Sequence, residues 1–224
     1  MVLGKKEEEP AEGVFLRGDA IIARKNGAER QVMTREDIRL PGLHNVENYM
    51  AAIAAVRGYA GPEEIGEVAR TFRGVRHRLE LVREMGGVAY YNGSIDSSPT
   101  RTAAALNAMG SRPLVLICGG YDKQIPFAPL ADALLSRNNI RALVLTGATA
   151  QKIEGALREH PAFAGRSFEI HHEADFTEAI LLASRCARAG DAVLLSPACA
   201  SFDAFANFEV RGDRFCEIVR GLTE

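Results

Sequence analysis

Three short runs that alternate between polar and apolar stretches cover residues 13–17, 19–24 and 29–34 and read as strands. A period of two is the signature of strands. Gly18-Asp19 and Asn26-Gly27 separate the three runs, and Asn-Gly is a strong hairpin-turn signal. The segment predicts a small antiparallel meander, which cannot bury both faces by itself and must lean on another layer. Leu40-Pro41-Gly42 ends it. From residue 45 to 59 the spacing changes: Val46, Tyr49, Met50, Ile53, Ala54 and Val56 recur with a helical period. Gly61-Pro62 breaks that helix. Pro62-Glu63-Glu64 opens a second one, to about Phe72, with proline and acids where a first helical turn favours them.

Beyond residue 79 the pattern alternates. Strands are predicted over 79–84 and 88–91, joined near Gly86-Gly87. Then follow a helix over 99–109, a strand over 113–118, a helix over 127–136 and a strand over 141–146. A helix over 148–160, a strand over 168–171, a helix over 174–189, a strand over 191–196 and a helix over 211–222 complete the series. Leu114-Val115-Leu116-Ile117 is continuously apolar, as a parallel strand covered on both faces must be. Alternation of this kind implies right-handed βαβ units. The expected class is α/β: a Rossmann-like, doubly wound, mostly parallel sheet over 75–224, preceded by the meander and two helices over 1–74. The first part has no large sheet of its own, so the chain reads as a fragment of a longer protein.

Composition narrows the partners. Hydrophobic residues make up 47% and charged residues 25%, which suits a globular protein and not a disordered one. Lys and Arg number 27 against 29 Asp and Glu, so the basic surplus of a duplex nucleic-acid binder is missing. No apolar run approaches the ~18–20 residues of a bilayer span, and the start, MVLGKKEEEP, has no apolar signal region. Cys118, Cys186, Cys199 and Cys216 form no C-x-x-C pair. They read as small buried hydrophobes of a reducing, cytoplasmic protein. No metal site is expected from protein side chains alone. The G-x-x-x-x-G-K-[ST] phosphate loop, G-x-G-x-x-G and G-x-S-x-G are all absent.

Ligands of open α/β sheets bind beyond the carboxyl ends of the strands. Four predicted strand ends are rich in Gly, Ser, Thr, Asp and Lys: Asn92 to Pro99, Gly119-Gly120-Tyr121-Asp122-Lys123, Thr146 to Thr149, and Ser196 to Asp203. Each has a plain structural explanation as a turn or a cap, but together they form a rim suited to an anion. Phe202, Phe205 and Phe208 read by default as core aromatics.

The blocks Gly42 to Asn48, Phe72 to Glu80, Tyr91-Asn92-Gly93-Ser94, Gly119 to Lys123 and Leu194 to Asp203 occur in order. With Asn207-Phe208-Glu209 and Arg211-Gly212-Asp213 they resemble the Mur ligases. The resemblance covers about residues 40–222. It implies that 1–74 is the end of a central ATPase domain and 75–224 a C-terminal, glutamate-binding domain. The implied reaction adds D-glutamate to UDP-N-acetylmuramoyl-L-alanine through an acyl phosphate, in peptidoglycan synthesis. ATP and Mg²⁺ would be bound mainly by the upstream part that carries the phosphate loop. This part alone would be inactive and holds no catalytic residue of its own, and the full-length enzyme is expected to be monomeric.

By the same resemblance, Lys123, Ser201, Phe208 and Ser97 would contact D-glutamate. His44, Asn45, Asn48, His77, Arg78, Asn92 and Ser94 would lie on the nucleotide side. Where related chains commonly read Asn-Asp-Ser-Lys, this one reads Asn92-Gly93-Ser94-Ile95, with Asp96 as the next carboxylate. That departure motivates two alternatives: a stand-alone Rossmann-like module for an anion or nucleotide, or a Mur ligase adding a different amino acid.

Overall fold

The computed structural model describes residues 9–40 and 42–223, with the His44 side chain outside the described set. The chain divides into two compact units, one ending at Gly74 and the other starting at Val75.

In the first unit, β1 (Gly13–Arg17), β2 (Ala20–Lys25) and β3 (Ala28–Thr34) form an antiparallel sheet in sequence order. Asn26 and Gly27 both take positive φ, 51° and 77°, as the tight turn between β2 and β3 requires. Helices α1 (Leu43–Val56) and α2 (Pro62–Thr71) supply the missing layer. Val14, Ile21 and Met33 from the sheet bury against Val46, Met50, Ile53 and Ala69 from the helices. Phe15 stays buried under the Arg24 guanidinium, 4.8 Å from its ring centre. Helix α1 starts two residues earlier than its periodicity predicts and stops at Val56, just before Gly58 with φ 98°.

The second unit is built on a six-stranded sheet in the order β4-β5-β9-β6-β7-β8. Its strands are β4 (Glu80–Met85), β5 (Val88–Asn92), β6 (Leu114–Gly119), β7 (Ile140–Thr146), β8 (Glu169–His172) and β9 (Ala192–Leu195). Strand β4 pairs antiparallel with β5, and the remaining pairings are parallel. Side chains alternate across the sheet. Leu114, Leu116 and Cys118 pack on α3 (Pro99–Ala108), α4 (Ala128–Leu135) and α5 (Ala150–Glu159). Val115 and Ile117 face α6 (Phe176–Cys186) and α7 (Phe208–Gly221). The expected mostly parallel, doubly wound α/β sheet is present. Full burial stabilises each such side chain by roughly 1.5–3 kcal/mol over leaving it in water, and this two-sided layer holds the strand ends rigidly.

Most element boundaries differ from the sequence reading by a residue or two, and two in this unit by three. Helix α6 ends at Cys186, three residues early. Helix α7 begins at Phe208 instead of Arg211, because Asn207 caps it by accepting the Val210 N–H at 2.8 Å.

Candidate functional site

Strand β9 runs between β5 and β6, so the chain reverses its winding direction there and opens a crevice at the carboxyl ends of the strands. Two glycines let the loop after β6 reach across it. Gly119 and Gly120 have φ of 125° and 145°. A Cβ on the first would strike the Thr146 carbonyl, and one on the second the Ala200 carbonyl. Only glycine permits so close an approach. The Tyr121 N–H then donates to the Ala200 carbonyl at 2.9 Å, in an isolated antiparallel bridge. Lys123 lies two residues beyond one side of this bridge, and Ser201 one residue beyond the other. The loops carrying these two D-glutamate candidates are therefore fastened to each other.

The electrostatics around Lys123 leave it available. Asp122 accepts the Gln124 N–H at 2.7 Å and pairs with Lys152, and that ammonium holds its carboxyl below the usual range. Lys123 itself is exposed, with no hydrogen bond or ion pair among the described residues. Ser201 is buried, and its hydroxyl likewise has no hydrogen-bond partner there. Its carbonyl is occupied, by the N–H groups of Ala204 and Phe205. Ser97 is partly exposed and follows the same loop as Ser94.

A second layer lies beneath. Arg211, 2% exposed, donates through Nε to Ser94 Oγ at 3.0 Å and through Nη1 to the Ala200 carbonyl at 3.0 Å. Its Nη2 reaches the Ser94 and Cys199 carbonyls at 2.9 and 3.1 Å. Burial lowers the guanidinium to about 10, so it remains charged at neutral pH. This one side chain ties the loop after β5 and the loop after β9 to α7. Thr149 adds a brace, exchanging 3.1 Å hydrogen bonds with the N–H and carbonyl of Gly120.

Several nucleotide-side candidates belong to this inner layer and not to an open surface. Asn92 is fully buried, and its amide lies 3.0 Å from His77 Nδ1 and 3.2 Å from the Gly212 carbonyl, while its Oδ1 accepts the Ser94 N–H. Ser94 Oγ donates to the Phe208 carbonyl at 2.7 Å. His77 is buried, with φ 64°, and packs edge-on to the Phe208 ring at 6.1 Å. Spacing placed these residues at a strand end but carried no information about which side of the strand they face. Arg78 is exposed, and its guanidinium has no hydrogen-bond partner among the described residues. In the first unit, Asn48 is exposed on α1, 3.5 Å from Asn45 Oδ1, and the His44 side chain lies outside the described residues.

Phe202 corrects the core expectation. It is 65% exposed and packs edge to face with Tyr121, ring centres 6.0 Å apart. The tight turn of 201–205 turns it outward before α7 begins. A cavity of about 420 Å³ lies on the α6–α7 side of the strand ends, between Gly120, Gly147, Phe176, Phe205 and Arg214; neither Lys123 nor Ser201 lines it. Among the described residues no three His, Cys, Asp or Glu side chains gather as a metal site.

The sequence reading named Arg211 and Tyr121 only within longer blocks and gave neither a role. Arg211 lies on the buried stripe that continues with Phe215 and Val219, which marks it as an inward-facing charge; Tyr121 carried no such signal.

Residues 77–199, more than half the chain, match the Mur ligase, glutamate ligase domain. The chain belongs to the Mur ligase family. It is 50% identical over 217 residues to the UDP-N-acetylmuramoylalanine–D-glutamate ligase of Clostridium novyi, an alignment that spans 97% of this chain and 46% of that one. It is 44% identical over 226 residues to the same ligase of Symbiobacterium thermophilum, across 100% and 48%. The chain spans about half the length of these curated relatives. Among solved structures, Mycobacterium tuberculosis folylpolyglutamate synthase complexed with ADP superposes with a TM-score of 0.62 at 13% identity, covering 91% of this chain and 45% of that one. That likeness is one of fold alone.

Proposed function

We propose that this chain is the amino-acid-binding half of an ATP-dependent amide ligase that adds D-glutamate to UDP-N-acetylmuramoyl-L-alanine in peptidoglycan synthesis. The part ending at Gly74 is the end of the ATPase domain, and the part from Val75 is the glutamate-binding domain. The observation that carries the reading is an unpartnered ammonium, Lys123, and an unpartnered hydroxyl, Ser201, on two loops joined by the Tyr121–Ala200 bridge. The identity to two D-glutamate ligases supports it. A dicarboxylate needs charge-assisted donors at both ends, and these are the strong hydrogen bonds. Lys123 takes one carboxylate; Ser201 and the N–H groups at the start of α7, near Phe208, take the other, with Ser97 beside them.

ATP phosphorylates the alanine carboxylate, and the glutamate amine displaces phosphate from the acyl phosphate. Arg78, exposed and charged, fits a phosphate or ribose edge, and Asn45 and Asn48 fit the base side. Mg²⁺ would neutralise phosphate charge when bound; among the described residues no cluster of His, Cys, Asp and Glu gathers to hold it, and we assign its ligands to the upstream half. Holding the amine in line supplies up to ~7–11 kcal/mol in the best cases, and closing the crevice keeps water from the acyl phosphate. We place the protein in the cytoplasm, as a monomer; no described helix is long and apolar enough to cross a membrane.

The test joins this chain to the upstream half of the Clostridium novyi relative. Phosphate release should require ATP, UDP-N-acetylmuramoyl-L-alanine and D-glutamate together. Release that is equal with a diamino acid in place of D-glutamate, or none at all, rejects the proposal.

A further inference from the structure

The reading above leaves one substrate charge unanswered. D-Glutamate arrives with an ammonium as well as two carboxylates, and the ammonium must lose a proton before it can attack. Lys123, Ser201 and the α7 N–H groups can do neither task.

One carboxylate at the strand ends is built for both. Asp96 follows β5, beside the start of the loop after β9, and is 8% exposed. Its Oδ2 accepts the Ser196 hydroxyl at 2.8 Å, and Ser196 Oγ lies 2.9 Å from Thr102 Oγ1, which fixes the carboxylate from behind. Its Oδ1 has no hydrogen-bond partner among the described residues and is not sealed from solvent. The glycine at 93 makes this placement possible. A Cβ there would sit 2.8 Å from Asp96 Oδ2 and 2.7 Å from the Leu195 carbonyl, so a side chain at 93 and a carboxylate at 96 compete for the same space.

The charges facing Asp96 are Arg78, Arg101 and Arg211, with the Cys118 thiol nearby. None of the three guanidinium groups bonds to it: Arg101 donates to the Ile95 carbonyl, and Arg211 is taken up by Ser94, Cys199 and Ala200. Burial pushes the carboxyl up to about 6, against the opposing pull of Ser196 and these arginines. A proton acceptor works best when its pKa approaches the working pH. Other carboxylates on the rim serve less well. Asp122 is paired with Lys152. Asp203 accepts the Ala148 N–H and stands exposed, where an ion pair contributes little.

We propose that Asp96 holds the ammonium of the incoming amino acid and takes its first proton. This rests on the D-glutamate reading given above. The carboxylate and the ammonium become carboxylic acid and amine. The amine lone pair forms the C–N bond, the C–O bond to phosphate breaks, and the second N–H proton leaves on the departing phosphate as hydrogen phosphate.

The test is an NMR titration of the chain at pH 7.5 with D-glutamate and with glutarate, which keeps both carboxylates and lacks the amine. Wild type should bind D-glutamate at least tenfold more tightly than glutarate. Asp96→Asn should bind the two alike, with glutarate affinity within threefold of wild type, which also shows that the variant is folded. Asp96→Glu, retaining the charge, should recover part of the preference. In the joined ligase, Asp96→Asn should lower kcat at least 100-fold. An Asp96→Asn chain that keeps the wild-type preference overturns the assignment while leaving the diacid site standing. Wild type that binds neither diacid overturns the site reading itself, and the assignment with it.

Discussion

Lys123 and Arg211 are both cations at the carboxyl end of one sheet, and their surroundings are opposite. Lys123 is exposed on the loop after β6, with no hydrogen bond or ion pair among the described residues. Arg211 lies under the loop after β9 with three hydrogen bonds to backbone carbonyls and one to a hydroxyl, and no carboxylate is bonded to it. A buried charge persists only where its donors are satisfied, so the sealed cation holds loops. The open one retains its full capacity to recognise an anion. The contrast separates a cation spent on holding the rim from one left free to meet an anion, and it can be attacked from both sides.

The largest effect is expected from Arg211→Met. It leaves the Ser94, Cys199 and Ala200 carbonyls without their donor, at about 3–5 kcal/mol of stability, measured by urea unfolding. An unchanged midpoint would mean that the inner layer does not hold the loops. Next comes Gly212→Ala, whose Cβ would strike His77 Nδ1. Overpacking there should cost about 2–3 kcal/mol and loosen the Asn92–His77 contact, visible as faster amide exchange at Ser94.

Asp96→Asn should act in the opposite direction and depend on pH. A carboxyl raised to about 6 in the folded state binds its proton more tightly there than when unfolded. Wild-type stability therefore falls as pH rises from the unfolded value of roughly 4 to the folded value of about 6. The amide escapes that penalty. The variant should be more stable by about 1–2 kcal/mol at pH 8, with the gain vanishing below about pH 4; thermal melts across this range decide it. Smallest in stability is Lys123→Ala, within about 0.5 kcal/mol of wild type, although it should abolish detectable D-glutamate binding. A Lys123→Ala chain that melts early, or binds as before, would erase the distinction drawn here.

Periodicity resolved the layers because each strand and helix carries its own local signal. Leu114 to Ile117 had to be covered on both faces, and it is. The ends of elements were less legible where a cap outweighs the apolar pattern, as Asn207 does at α7. At the rim, chemical type singled out the strand-end loops but not the direction of each side chain. Asn92 and Lys123 looked alike as polar strand-end residues, yet one is fully buried and the other exposed. That difference comes from contacts 120 residues apart, such as Asn92 with Gly212, which no local window contains. Phe202 shows the reverse error, an aromatic kept outside by a turn.

The strand that fills the gap between β5 and β6 is made of residues 192–195, more than seventy residues after β6 in the chain. Until a ribosome has released those residues, β5 and β6 have no neighbour on their facing edges, and two hydrophobic half-sheets wait with open backbone. Such edges are templates for aggregation. The sheet should therefore close only once β9 is available, and a chain cut between β8 and β9 should give an insoluble product instead of a shortened domain.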